Sequence, residues 1–404
     1  MTAAASVLCV GLTDVRFGAL RERTDALYAE WLALWQAEPA ARRVPWAHPQ
    51  WVLAWLDCYA RASGHDYRLF FVSHGAQLVA VFALRVVMRR GVLQLELADD
   101  AVLGGADPVL AEGGRVRTAL PEGPPGGVDT RAVVDALLRT PVHGGRAASV
   151  LLLRTVDAGH PLLSAGVPAF VVPADRRSVI DLLPDHAAYL ASLGRNFRGN
   201  LRKARNRLHA AGAVRVEAFD TAHTIGLGLH RFATMDQGSW KAEAGSSLQG
   251  NARIMALYGE SLPPMAARGE AVVHLLSLDG RDIGGTISHV AGDTLFVQKI
   301  SYVKSCAEFA PGNMLLEHLL EHDAAARGLT RVNLVTCQPW HANWRPSYVQ
   351  GWEVYCTRRG ASGTLAAWRA VPLRKRLKAS LLAEGGAGRL GRVYEALRRL
   401  RDRG

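Results

Sequence analysis

Two stretches of the chain repeat the same sequence of apolar runs, alternations and turns. In the first, YRLFFVSHGAQLVAVFALRVV reads as strand, turn at His74 and Gly75, strand, and GVLQLELAD adds a third apolar strand. In the second, AVVHLLSLDGRDIGGTISHV gives strand, turn at Asp279 and Gly280, strand, and TLFVQKISYV follows as the third. Each triple leads into a loop with Gly or Pro, then an amphipathic helix and a buried strand, predicted at 130–139 and 149–153 in the first copy and at 312–327 and 331–335 in the second. The order β-β-β-loop-α-β therefore occurs twice, an internal echo of the kind that tandem architectures leave.

Helical periodicity precedes the strands in both copies. ALYAEWLALWQAE and PQWVLAWLDCYARA stand ahead of the first set; FRGNLRKARNRLHAAG, HTIGLGLHRFATMDQ and ARIMALYGESLPPMAA stand ahead of the second. The pattern predicts an α/β protein with mixed α+β sheets, built as a tandem pair and not as an alternating doubly wound fold. It divides the chain into an N-terminal domain at 1–170, a C-terminal domain at 171–360 and a basic helical extension at 361–404. Gly- and Pro-rich residues 103–127 read as a long surface loop.

A chain of 404 residues with 49% hydrophobic and 21% charged residues has enough apolar material for two cores, which excludes a disordered or fibrous protein. No run approaches the ~18 apolar residues of a membrane span, and the N-terminus lacks a basic stretch ahead of its short apolar segment. A cytoplasmic, bacterial-type protein is the expectation. Five cysteines without a CxxC pair suggest reduced, mostly buried thiols, and no metal site is expected. His318 and His322, with Glu317 and Glu321, have helical metal-site spacing but read more simply as a solvated flank. The net charge of +12 is concentrated at residues 195–207 and in the last forty residues. At 195–207, Arg195, Arg198, Arg202 and Arg205 flank an apolar stripe of Phe197, Leu201, Ala204 and Leu208. That face suits a polyanion, and the basic tail suits an anionic membrane surface.

The segment most suggestive of chemistry is the strand at 294–303, a loop at 304–310, and Pro311, Gly312 and Asn313 opening a helix. Glycine at a helix start lets an anion approach free backbone N–H groups, and the helix dipole favours it there. The pattern SYVKSCAEFAPGNMLLEHLLEHDAAARGL, with hairpin strands before it and a buried strand after it, resembles the GNAT acyltransferase superfamily. It is similar in particular to the CelD-like and FemAB-like branch, whose members carry two GNAT-like halves. The basic helix and the SWK at Ser239–Lys241 belong to the same resemblance.

The resemblance implies an acyl-CoA co-substrate lying between the strands at 294–303 and 331–335 where they splay apart, with Ser301, Tyr302, Pro311, Gly312, Asn313 and Met314 as its contacts. The implied reaction is direct attack of an amine on the thioester, without a covalent enzyme intermediate. Asn333 stands where the family usually has an acid. His341, near neutrality in its ordinary titration, is the candidate to take a proton, and Lys299 is a further candidate on the splayed strand. Trp240, Lys241, Trp344 and Arg345 are candidates for the acceptor pocket. The acceptor would be a small-molecule or glycan amine. The resemblance also leaves open a FemAB-type transferase that uses aminoacyl-tRNA, and a non-catalytic accessory protein of exopolysaccharide biosynthesis.

Overall fold

The computed structural model describes residues 5–97, 129–157, 160–163, 166–243 and 247–371. The predicted surface loop at 103–127 and the cationic part of the tail beyond residue 371 lie outside the described residues.

Both copies of the echo fold as the apolar pattern dictates. In the first half, β1 (Ala5–Gly11) is followed by helices α1 (Val15–Arg21), α2 (Ala26–Ala37) and α3 (Pro49–Trp55). Then come β2 (Asp66–His74), β3 (Gln77–Arg89), β4 (Val92–Leu97) and α4 (Thr130–Arg139). A small hairpin of β5 (Pro141–His143) and β6 (Arg146–Ala147) leads to β7 (Val150–Asp157), and β8 (Phe170–Asp181) follows at the junction of the halves. The second half begins with α5 (His186–Ser192) and α6 (Arg195–Ala211). It continues as β9 (Val214–Phe219), α7 (Ile225–Asp236), α8 (Trp240–Glu243) and α9 (Ala252–Ala266). The strands β10 (Ala271–Leu278), β11 (Arg281–Ala291) and β12 (Thr294–Tyr302) precede α10 (Pro311–His318), β13 (Arg331–Asn333), β14 (Ser347–Thr357) and α11 (Ala361–Ala370). The β10–β11 turn is the Asp279–Gly280 pair, both at positive φ, as the twist of a two-residue hairpin requires.

One sheet joins the halves, in the order β1-β2-β3-β4-β7-β14-β8-β13-β12-β11-β10-β9. Its two parallel pairs, β4 with β7 and β12 with β13, each extend over three registered residues, and the other pairs are antiparallel. The middle of the sheet is an exchange. β8 follows β7 in the chain but pairs with β13, while β14 follows β13 but pairs with β7. β8 and β14 then pair with each other.

Packing tightens the junction. One core runs beneath both halves, with Trp46, Trp51 and Trp55 of the first half and Tyr258, Ile287 and Phe296 of the second in the same cluster. Trp51 meets His289 edge-on at 5.2 Å and Trp46 meets Phe296 at 5.7 Å. Separate clusters cover the opposite faces, under α4 in the first half and under α6 and α10 in the second. The expectation of mostly buried cysteines needs correction. All five are free, but Cys356 alone is buried; Cys9, Cys58 and Cys306 are half-buried and Cys337 is exposed.

The β11–β12 turn touches the first half directly. Gly292 has φ +60°, and a Cβ there would stand 2.0 Å from the Ala40 carbonyl oxygen. Gly292→Ala should therefore cost about 2–4 kcal/mol, from overpacking and from strained backbone. Gly280→Ala, where φ is +80° and nothing lies within 4 Å, should cost only about 1 kcal/mol. Urea unfolding of the two variants in parallel measures the difference.

Candidate active site

The β12–β13 ladder pairs Thr294 with Arg331, Leu295 with Val332 and Phe296 with Asn333, and stops there. Beyond it the chain leaves β12 but stays on β8, which pairs with β13 at its other edge. Leu334 N donates to the Ser178 carbonyl of β8 at 2.9 Å, and Ser178 N donates to the Thr336 carbonyl at 2.9 Å. Between them Thr336 N turns back to the Leu334 carbonyl, and Val335 takes φ +62°, a conformation that a β-branched residue adopts only under constraint. Asn333 supplies part of that constraint, because its Oδ1 accepts from Val335 N at 2.8 Å.

The diverging strands enclose a cavity of about 640 Å³. Val297, Gln298, Ile300, Ser301 and Tyr302 form one wall and Leu334, Thr336 and Gln338 the other; Gly312, Asn313, Trp240, Trp340 and His341 complete the lining. A β-bulge opposite Ile287 and Ser288 places Gln298 near the point of divergence. Gln298 is buried, and its Oε1 lies 2.7 Å from Nε2 of His289.

At the other end of the cavity α10 begins. Ala310 is its N-cap at φ 48°, Pro311 has no N–H, and Asn313 N and Met314 N already donate to the Ala310 carbonyl. The first N–H that the helix presents is that of Gly312. A Cβ on Gly312 would meet Ile300 Cδ1 at 3.7 Å and Tyr302 Cδ1 at 3.9 Å, so a larger side chain would enter the space between the helix start and β12.

The sequence-derived candidates divide. Ser301, Tyr302, Gly312, Asn313, Trp240 and His341 line the cavity together. Pro311 and Met314 are buried and pack beneath the helix start. Lys299 is buried on β12 and is not part of the wall. Trp344, expected in an acceptor pocket, is instead fully buried because its indole fills the core against Phe197; its Nε1 donates to Asn313 Oδ1 at 3.1 Å. Arg345 is exposed outside the cavity, at the left-handed end of the turn 339–344. Lys241 lies on α8 beside Trp240.

His341 is buried. Its Nδ1 faces Gln338 N at 3.3 Å, and Trp340 meets its ring edge-on at 4.4 Å. Burial pushes its pKa down to about 4, against the opposing effect of a hydrogen bond to the Thr336 backbone, so the ring is neutral near pH 7. Among the described residues no group of three or more His, Cys, Asp or Glu is arranged to hold a metal ion. Of the expected solvated flank, Glu321 and His322 are exposed, but Glu317 is buried and pairs with Arg205, and His318 is half-buried, edge-on to His274 at 6.2 Å and tilted against His322 at 5.0 Å.

One residue that the sequence reading passed over organises the mouth. Asp236, buried at the end of α7, accepts from Ser301 Oγ, from Ser239 Oγ at 3.0 Å and from Leu248 N at 2.8 Å. It fastens β12 to the turn at Ser239 that leads into α8 and its half-exposed Trp240. An acid closing an otherwise apolar helix, just before Gly238 and Ser239, was the available clue.

The family match falls on this half. Residues 195–343 match the model of the acetyltransferase (GNAT) domain family. No curated protein matches the chain. Among solved structures, FemX has a TM-score of 0.51 at 12% identity, over 80% of this chain and 95% of that one. L-PGS from Bacillus licheniformis has a TM-score of 0.45 at 13% identity, covering 82% and 97%. A tandem GNAT protein from the clavulanic acid biosynthesis pathway has 0.42 at 13%, covering 88% and 100%. The likeness to FemX is one of fold.

Two histidines here make stability depend on pH. Burial lowers both His341 and His289 to about 4 from an ordinary 6.5, so in that interval the folded state holds fewer protons than the unfolded chain. Their contribution is full above about pH 6.5 and is lost as pH falls towards 4, at about 1.4 kcal/mol per pH unit for each. His341→Gln should flatten the acid limb of a denaturation series taken from pH 7 to pH 4.

Proposed function

We propose, from the match of residues 195–343 to the acetyltransferase (GNAT) domain family, that the chain is a tandem GNAT-fold acyltransferase that transfers an acyl group from a CoA thioester to an amine. The observation that carries this reading is the ladder that ends at Phe296 and Asn333 with a cavity directly beyond it. The donor would supply the activated acyl group. Gly312 and the start of α10 would receive its pyrophosphate, and the cavity between β12 and β13 would take the extended pantetheine arm. The carbonyl then comes to the point of divergence, near Gln298 and Asn333.

Direct attack forms a C–N bond and breaks the C–S bond. The amine must lose a proton, the thiolate must gain one, and the tetrahedral oxyanion needs a donor. Asn333 meets the last requirement. Its Oδ1 is committed to Val335 N, which fixes the orientation of the amide and leaves Nδ2 as a donor at the ladder's end. Tyr302, on the cavity wall, is the candidate proton source for the thiolate, and the proton that the amine loses passes through water to restore the phenol.

A second reading, transfer from aminoacyl-tRNA, is favoured by one observation. The exposed Arg195, Arg198, Arg202 and Lys203 lie on α6, whose Phe197 packs on Trp344 and so stands beside the start of α10.

Calorimetric titration with acetyl-CoA and longer acyl-CoAs separates the two. Acyl-CoA binding supports the first reading, while tRNA binding with a steep salt dependence and no acyl-CoA binding replaces it with the second. Gly312→Leu should weaken acyl-CoA affinity at least about tenfold with an unchanged melting temperature. Asn333→Asp keeps an acceptor for Val335 N but removes the NH2 donor. It should lower kcat by about a hundredfold with little change in donor KM, measured by release of free thiol.

A further inference from the structure

A second cavity, of about 340 Å³, lies over the exchanged strands at the centre of the sheet. It shares its boundary with the donor cavity, because Phe296 and Asn333 line it and the next residues along each strand, Val297 and Leu334, line the other. Both halves build it. Trp35, Arg42 and Arg43 come from α2 and the loop after it, Arg154 and Asp157 from β7, Arg177 from β8, and Arg331 from β13.

The wall holds five arginines, Arg42, Arg43, Arg154, Arg177 and Arg331, against two carboxylates, Glu38 and Asp157. Asp157 is the ion-pair partner of Arg177, which is only 2% exposed. Arg331 is paired with Asp293 at 2.6 Å. Arg154 reaches Glu96 at 3.5 Å, in a cluster where that carboxylate also meets Arg85 and Arg89. Arg43 lies 5.3 Å over the Trp35 ring and donates only to the carbonyls of Gln36 and Glu38, while its Nε is buried without a partner. Backbone carbonyls orient a guanidinium without cancelling its charge. The cavity therefore keeps an excess of positive charge beside an apolar floor of Leu153, Val156, Phe296 and Val349. Partly buried guanidinium groups with fixed geometry are suited to carboxylate or phosphate oxygens.

We infer that this seam cavity binds the acyl acceptor, and that the acceptor is an amine carrying an anionic group, carboxylate or phosphate. The inference rests on the donor reading for the direction of transfer, since an amine held here reaches the divergence point at Asn333. Its anionic group meets the arginines contributed by both halves. The volume suits a ligand the size of an amino acid or a monosaccharide.

Calorimetry on the full chain without CoA tests binding alone, with glucosamine 6-phosphate as the phosphate probe, glutamate as the carboxylate probe, and glucosamine and spermidine as amine controls that lack an anionic group. At least one anionic amine should bind about tenfold or more tightly than both controls, with affinity falling as salt rises. Arg42→Ala should weaken that binding about tenfold, and Arg42→Lys should restore part of it. Arg331→Ala, checked by its melting temperature, provides the second variant. The inference is overturned if neither anionic probe binds, if glucosamine or spermidine binds as well, or if Arg42→Ala leaves the affinity unchanged. A thiol-release assay with acetyl-CoA keeps the two readings apart. Anionic amines that bind without consuming thioester defeat the donor reading alone, and acylation of glucosamine or spermidine unaffected by Arg42→Ala defeats the acceptor inference alone.

Discussion

The hold of β8 on the chain beyond Asn333 decides the rest of the structure. Had β13 continued along β12, the two strands would have closed against each other and left no cavity. Instead the chain leaves β12 and stays on β8, where Ser178 holds Leu334 and Thr336 and Val335 between them takes positive φ. Such a conformation costs of the order of 1–3 kcal/mol and persists only where surrounding bonds over-determine it. Here those bonds are the two to Ser178 and the one from Val335 N to Asn333 Oδ1. The strain thus lies two residues beyond Asn333, next to the place where the two cavities meet.

β8 follows β7 in the chain and leaves the edge of β7 to β14, so the opening is built where these two strands exchange places. The interlocking continues in the packing. Trp46 and Trp51 of the first half brace Phe296 and His289, and His289 in turn contacts Gln298 at the bulge. The halves are alike in topology but not in chemistry. Where the β4–β7 ladder ends, the fully buried Glu96 gathers Arg85, Arg89 and Arg154. The first half thus spends the equivalent position on an ion cluster whose outer member, Arg154, faces the seam cavity.

Much of this was legible in the sequence, because local periodicity determines which face of a strand or helix is apolar. The repeated strand triple, the Asp279–Gly280 turn and the Pro311–Gly312–Asn313 helix start all act over a few residues. The exchange of β8 and β14 was not legible, since a strand's periodicity says nothing about its neighbour in a sheet. For the same reason the seam cavity carried no motif: its arginines, at 42, 43, 154, 177 and 331, are scattered along the chain and converge only after folding. Trp344 shows the opposite difficulty. Its place in a short polar loop suggested a binding surface, yet an indole there is large enough to reach the core and anchor Asn313 from beneath.

The exchange of strands also has a bearing on biosynthesis. As the polypeptide leaves the ribosome, β7 emerges early, but its proper neighbour β14 is the last strand of the sheet to be translated. Throughout that interval the nascent first half carries an unpaired hydrophobic margin, the kind of edge that recruits foreign strands. The chain must therefore either shield that margin while translation proceeds or delay completing its sheet until almost the whole message has been read.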